Sequence, residues 1–185
     1  MPNPQEENRE KLRQILIKEA LFREKIILSS GKQSDYYFDA RRVTLSPAGA
    51  YLSAKVILAM IKDEKIDAIG GPTLGADPLA GAIAALSFDA HKPINTFIVR
   101  KAPKPHGKQQ QIEGPLLKDN ARIILIDDVA TTGKAFLESI QVLRSLNVDI
   151  VYALCLVDRE EGAREALAKV NCRLVSIFKG NELLQ

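Results

Sequence analysis

From residue 47 onward, near-continuous aliphatic runs alternate with segments of helix length. The runs read IDAIGG, INTFIVR, RIILID, VDIVYALCLVD and CRLVSIF. A strand apolar on both faces must be covered on both faces, which is the condition of a parallel sheet held between two helical layers. Before and between these runs lie a helix from about Pro47 to Lys62, with proline at a favourable first position, then GADPLAGAIAAL, KAFLESIQVLRSL and EGAREALAK. Ahead of this rhythm a helix is predicted from about Glu7 to Leu21, with Leu12, Ile15, Leu16 and Ala20 on one face. The stretch EKIILSSGKQSDYYFDARRVTLS then reads as a short antiparallel excursion about a Ser-Ser-Gly turn. The expected fold is a doubly wound α/β domain with a mostly parallel sheet. It fills residues 1–185 as one domain, with an N-terminal helix and small β-containing addition at 1–45 and the α/β core at 46–185.

Composition narrows what such a domain can do. The 185 residues are 46% hydrophobic and 26% charged, which excludes a disordered chain, and a net charge of +3 gives no broad attraction for nucleic acid or acidic membrane. Cys155 lies inside the aliphatic run VYALCLV, and Cys172 has no Cys or His at ligand spacing, so both are expected as small core residues. No apolar run reaches the ~18 residues of a membrane span, and MPNPQEENRE lacks the apolar centre of a signal peptide, so a cytoplasmic protein is expected. His91, in FDAHKPIN, is expected in an exposed loop.

In a doubly wound sheet, ligands bind beyond the carboxyl ends of the strands. Four strand ends here carry chemistry: GGPTLGAD, RKAPKPHGK, DDVATTGKA and DREEGA. Asp127 and Asp128 stand side by side, where the turning chain is expected to aim both at the crevice. Carboxylates accept hydrogen bonds from vicinal hydroxyls and offset positive charge that develops nearby. The following Val129, Ala130, Thr131, Thr132, Gly133, Lys134 and Ala135 supply successive N–H groups, two hydroxyls, a glycine for close approach and a helix N-terminus, which together suit a phosphate. A ribose 5-phosphate satisfies both halves. A Walker B strand is excluded, since no G-x-x-x-x-G-K-[ST] occurs. From Arg100 to Lys108 the chain carries four permanent cations, one histidine and no acid, broken by Pro103, Pro105 and Gly107. Such a loop suits a lid that neutralises a leaving anion and excludes water.

The run of aliphatics, paired acids and Thr-Thr-Gly turn resembles the donor-binding motif of the type I phosphoribosyltransferases. IILSSGKQSDYYFDARR, RKAPKPHGKQQQIEG and VDREEGA are similar to the hood, catalytic loop and base-contacting segment of the orotate phosphoribosyltransferase family, and the resemblance covers nearly the whole chain. It implies transfer of ribose 5-phosphate from phosphoribosyl pyrophosphate to orotate, with Mg2+ held chiefly by donor oxygens and no dedicated protein metal site. It implies that Arg100, Lys101, Lys104 and His106 contact the donor, with Lys104 and His106 catalytic beside Asp127 and Asp128. Thr131, Arg159, Tyr37 and Phe38 are implied at the orotate, Arg159 on its carboxylate. It further implies a homodimer in which the 100–110 loop reaches the neighbouring subunit. Two family lysines are replaced here, by Ser29 and by Gly75, so Thr73 to Ala76 must hold diphosphate through backbone N–H groups. A transferase for another base, and a donor-sensing regulator of the same fold, stay open; only about 25 residues precede the hood, little room for a nucleic-acid-binding module.

Overall fold

The computed structural model describes residues 3–23, 26–27, 33–34, 36–103 and 111–184, and the side chains of all of these except 26–27 and 33–34. Ser29, Lys104 and His106 lie outside the described residues. Helix α1 (Pro4–Ile15) begins earlier than the apolar spacing predicts, because the Asn3 side chain accepts from Gln5 N at 3.1 Å and Pro4 occupies the first turn. Its last turn widens into a π-helical turn at Leu16–Ala20 rather than continuing to Leu21. Leu21 opens β1 (Leu21–Phe22), which pairs antiparallel with β4 (Tyr37–Phe38); β2 (Ile26–Ile27) pairs with β3 (Gln33–Ser34). These two ribbons are the expected antiparallel excursion.

A short helix, α2 (Arg41–Thr44), leads into α3 (Pro47–Met60), capped where Ser46 Oγ accepts from Gly49 N at 3.1 Å. There follow β5 (Ala68–Pro72), α4 (Ala76–Asp89), β6 (Asn95–Val99), β7 (Ile112–Glu113), β8 (Arg122–Ala130), α5 (Lys134–Arg144), β9 (Asp149–Asp158), α6 (Ala163–Ala168), β10 (Leu174–Lys179) and α7 (Gly180–Leu184). The six-stranded sheet has the order β10-β9-β8-β5-β6-β7, parallel throughout except for β7 against β6. Ile124 and Ile126 of β8 pack into one core with Leu12, Ile57 and Leu79, while Ile123 and Leu125 face the other with Phe136, Ile140 and Leu167. This alternation is the two-sided burial that the aliphatic runs require, and each such fully buried side chain contributes roughly 1.5–3 kcal/mol.

The strand order reverses between β5 and β8, because the chain goes from β5 outward to β6 and then returns to the other side of β5. Pairing of β5 with β8 ends at Gly70 and Leu125, yet β8 stays paired with β9 as far as Ala130 and Asp158. The last five residues of β8 thus have a strand neighbour on one side only, and the other side is the mouth of a crevice. Three further features differ from the expected elements. β8 does not turn at Asp127 but runs on to Ala130, because β9 continues alongside it. The stretch between the runs INTFIVR and RIILID, where no element is expected, contains the edge strand β7. Short α2 and α7 carry no periodic signal at all. Cys155 and Cys172 are free and buried, and burial pushes both thiols up. His91 is exposed, as expected. Among the described residues no helix is long and apolar enough to cross a membrane.

Candidate active site

The crevice between the β5 and β8 ends holds about 540 Å3 and is lined by Tyr37, Phe38, Arg41, Thr73, Gly75, Lys101, Asp127, Asp128, Thr131 and Arg159, among others. It gathers residues from the hood and from four strand ends, those of β5, β6, β8 and β9. Asp127 is only 7% exposed and Asp128 is half-buried. Each carboxylate bends back onto the chain: Asp127 Oδ1 accepts from Asp128 N at 2.9 Å, and Asp128 Oδ1 from Val129 N at 2.7 Å. Both acids therefore reach the open side of β8 although they are neighbours on a strand. Burial, and then the charge of Asp128, pushes the Asp127 carboxyl well above the ordinary carboxylate range. Asp128 is raised chiefly by burial, against lowering by its hydrogen bonds and by Arg41.

Facing this pair is the turn after β5. A Cβ added at Gly75 would overlap Asp127 Oδ1 and lie 2.5 Å from Asp128 Oδ1. The family lysine absent at this position would therefore have no room while the acids keep this arrangement. The Thr73–Leu74 peptide is cis. Thr73 Oγ1 donates to Asp77 Oδ2 at 2.9 Å.

Beyond β8 the chain forms a small cradle of about 170 Å3, lined by Asp127 and by residues 129–136. Gly133 stands before α5 with φ 79°, a left-handed conformation that an L side chain adopts only at a cost. The first N–H groups of α5 have no acceptor within the helix, so they and the helix dipole face the cradle. Thr131 is half-buried, and Thr132, Lys134 and Ala135 are exposed.

At the end of β9, Arg159 N donates to Ala130 O at 2.9 Å, tying this corner to the acid-bearing strand. The Arg159 side chain is only 5% exposed, pairs with Glu161 Oε1 at 2.8 Å and lies over the Tyr36 ring at 4.9 Å. Tyr37 and Phe38 enter the same crevice from β4. Arg100 sits where β6 meets β7, with Nη1 3.3 Å from Glu113 Oε1. Together with Lys101, Gln111 and Lys134 it lines a second cavity, of about 800 Å3, that adjoins the crevice.

The structure thus brings together Asp127, Asp128, the cradle, Tyr37, Phe38, Arg159 and Lys101, and sets Arg100 at the stem of the loop. Sequence reasoning overlooked Asp39, Arg41 and Asp77. Arg41 Nε lies 3.1 Å from Asp39 Oδ1; that bond, and more weakly the charge of Asp128, raises the Arg41 pKa. All three stand within quoted segments, but no spacing rule connects them to Asp127.

The Phosphoribosyl transferase domain family matches residues 45–181, and the chain belongs to that family. An orotate phosphoribosyltransferase of Aquifex aeolicus is 45% identical over 157 residues, 85% of each chain, and one of Rhodopseudomonas palustris is 40% identical over 96% of each. The Mycobacterium tuberculosis orotate phosphoribosyltransferase structure superposes with a TM-score of 0.82 at 32% identity, covering 95% of this chain and 98% of that one. Within the family, the chain falls among the orotate phosphoribosyltransferases.

Proposed function

We propose that the chain transfers the ribose 5-phosphate of phosphoribosyl pyrophosphate to orotate, giving orotidine 5'-phosphate and diphosphate, a step of pyrimidine biosynthesis. The observation that carries this reading is the pair Asp127 and Asp128 on the unpaired edge of β8, running directly into the Gly133-capped start of α5. A relative from M. tuberculosis, 29% identical with a TM-score of 0.80, was solved in complex with the same donor.

In the mechanism the cradle at residues 129–135 grips the 5-phosphate through backbone N–H groups and the Thr131 and Thr132 hydroxyls. Asp127 and Asp128 accept the ribose hydroxyls and offset the positive charge that grows on the sugar as its bond to diphosphate stretches. The Thr73–Ala76 turn takes the diphosphate through the N–H groups of Leu74, Gly75 and Ala76, since that of Thr73 is bonded to Val99 O, with Lys101 alongside. Arg159, held by Glu161 and Tyr36, receives the orotate carboxylate, which aims the attacking ring nitrogen at the anomeric carbon. Thr131, Tyr37 and Phe38 border the base. Lys104 and His106, with Arg100 at the loop stem, neutralise or protonate the departing diphosphate.

Mg2+ fits this site as a passenger of the donor. Among the described residues no group of three or more His, Cys, Asp or Glu side chains gathers to hold a metal, while the buried acid pair supplies the negative field that receives a cation carried on donor oxygens. When bound, the ion neutralises diphosphate. The whole chain serves as one catalytic domain, working as a homodimer in the cytoplasm, with neither nucleic acid nor membrane as partner. Mixing Lys104→Ala or His106→Ala chains with Asp128→Asn chains is expected to restore part of the activity, and no recovery would exclude a loop shared between subunits.

The deciding experiment offers donor, Mg2+ and a panel of bases. Orotate consumption with stoichiometric diphosphate release is expected. Turnover of a different base alone would make the chain another transferase, and donor binding without turnover of any base would make it a regulator.

A further inference from the structure

The turn between β5 and α4 is fastened from within. Thr73 N donates to Val99 O at 3.0 Å, and Thr73 Oγ1 to Asp77 Oδ2 at 2.9 Å. The other oxygen, Asp77 Oδ1, is buried and has no hydrogen-bond partner among the described residues. A buried acceptor left bare is unfavourable, and the helix dipole of α4 favours a carboxylate in the first turn without requiring that oxygen to stay bare. Asp77 stands just past the turn that closes against the acid pair, and its charge is the smallest of the influences that raise the proton affinity of Asp127. Between them lies Gly75, whose lack of a side chain lets the turn close against both acids.

We propose that Asp77 is a positioning residue for the transfer: through Thr73 it fixes the turn that receives the diphosphate, and through its charge it deepens the negative field of the acid pair. This rests on the reading that Asp127 and Asp128 hold the ribose. Asp127 faces Asp128 on its own strand, Asp77 from α4 and the Cys155 thiol from β9, while Arg41 and Asp39 on the hood side act on Asp128. Removing the charge of Asp77 alone leaves the others in place, so Asp127 should release its proton more readily. Because ionised acids accept hydroxyls more strongly and alone offset positive charge on the sugar, the acidic limb of kcat/KM should then move to lower pH. The weaker field should also lower kcat.

The test compares Asp77→Asn, which keeps an acceptor for Thr73, with Thr73→Val, which keeps the charge. For Asp77→Asn the expectation is a kcat about tenfold lower, an acidic limb at lower pH and a donor KM within about threefold of the parent. For Thr73→Val it is a donor KM about tenfold higher and an unmoved limb. A purely structural role for Asp77 predicts loss of stability with the pH profile unchanged, and that result overturns the proposal, as does a parental donor KM in Thr73→Val. Asp127→Asn is the control. If it stays fully active, the reading of the acid pair falls; if it is inactive while both other variants behave as the parent, only the role of Asp77 falls.

Discussion

The ends of β8 and β9 are neighbours in one sheet, and both carry buried charge, but they treat it in opposite ways. At the end of β9, Asp158 is 2% exposed yet receives Arg164 Nη2 at 3.1 Å and Glu160 N at 2.9 Å. At the end of β8, Asp127 and Asp128 are supported mainly by backbone N–H groups and each other, beside Asp77, with Arg41 near Asp128 and itself bonded to Asp39. Compensated charges hold a structure together, whereas acids desolvated beside one another are a standing demand for a positive ligand. The comparison separates the framework acid of β9 from the working acids of β8, within two adjacent strands.

The sharpest way to break it is to neutralise one acid at each end. Asp127→Asn is expected to cut kcat/KM by about 10^2–10^3-fold. The same variant should unfold at a higher temperature than the parent at neutral pH. Folding raises the proton affinity of Asp127 above that in the unfolded chain, so the stability associated with its proton is complete below the ordinary carboxylate range and lost as pH rises through the elevated value. Asn cannot lose that proton. Asp158→Asn should do the reverse, costing about 1–2 kcal/mol in a denaturant titration because it weakens the bonds that a buried carboxylate receives from half-exposed Arg164 and from Glu160 N. Equal stability losses in both variants would erase the contrast.

A smaller effect sharpens the β9 side. Arg159→Lys keeps a positive charge but loses the planar two-pronged donor, so the orotate KM should rise by about 10–100-fold while the donor KM stays near the parent value. Parallel increases in both constants would mean a general collapse of the corner. The smallest expected change is in the cradle. Gly133→Ala puts a side chain on a residue at φ 79°, with its Cβ 3.2 Å from Ala163 Cα, and should cost about 1 kcal/mol of stability together with a severalfold rise in donor KM. An unchanged donor KM would take the phosphate away from this turn.

Much of this architecture could be read from the chain because its strands are buried on both faces, and runs such as RIILID and VDIVYALCLVD permit few other fates. The positions of Asp127 and Asp128 could be read as well, since paired acids at the end of such a run have no purpose in a core. Their geometry could not. The strand continues past them because β9 extends to Asp158, which is a property of the partner strand rather than of the local sequence. Asp77 was present in the quoted turn GGPTLGAD, but it acquires meaning only when Thr73 folds back onto it. Strand β7 escaped notice because two residues carry no periodicity, and its place is set by pairing with Ile98 and Val99.

The overhang of β8 also makes the two acids sensitive to counting. Ile123 to Ile126 alternate between the two cores, so deleting a single residue among them would exchange faces all along the strand and present the crevice with aliphatic carbon where it now has oxygen. The chemistry at the rim is thus addressed from the far end of the strand, and packing constrains the length of that segment as chemistry constrains the identity of the two acids.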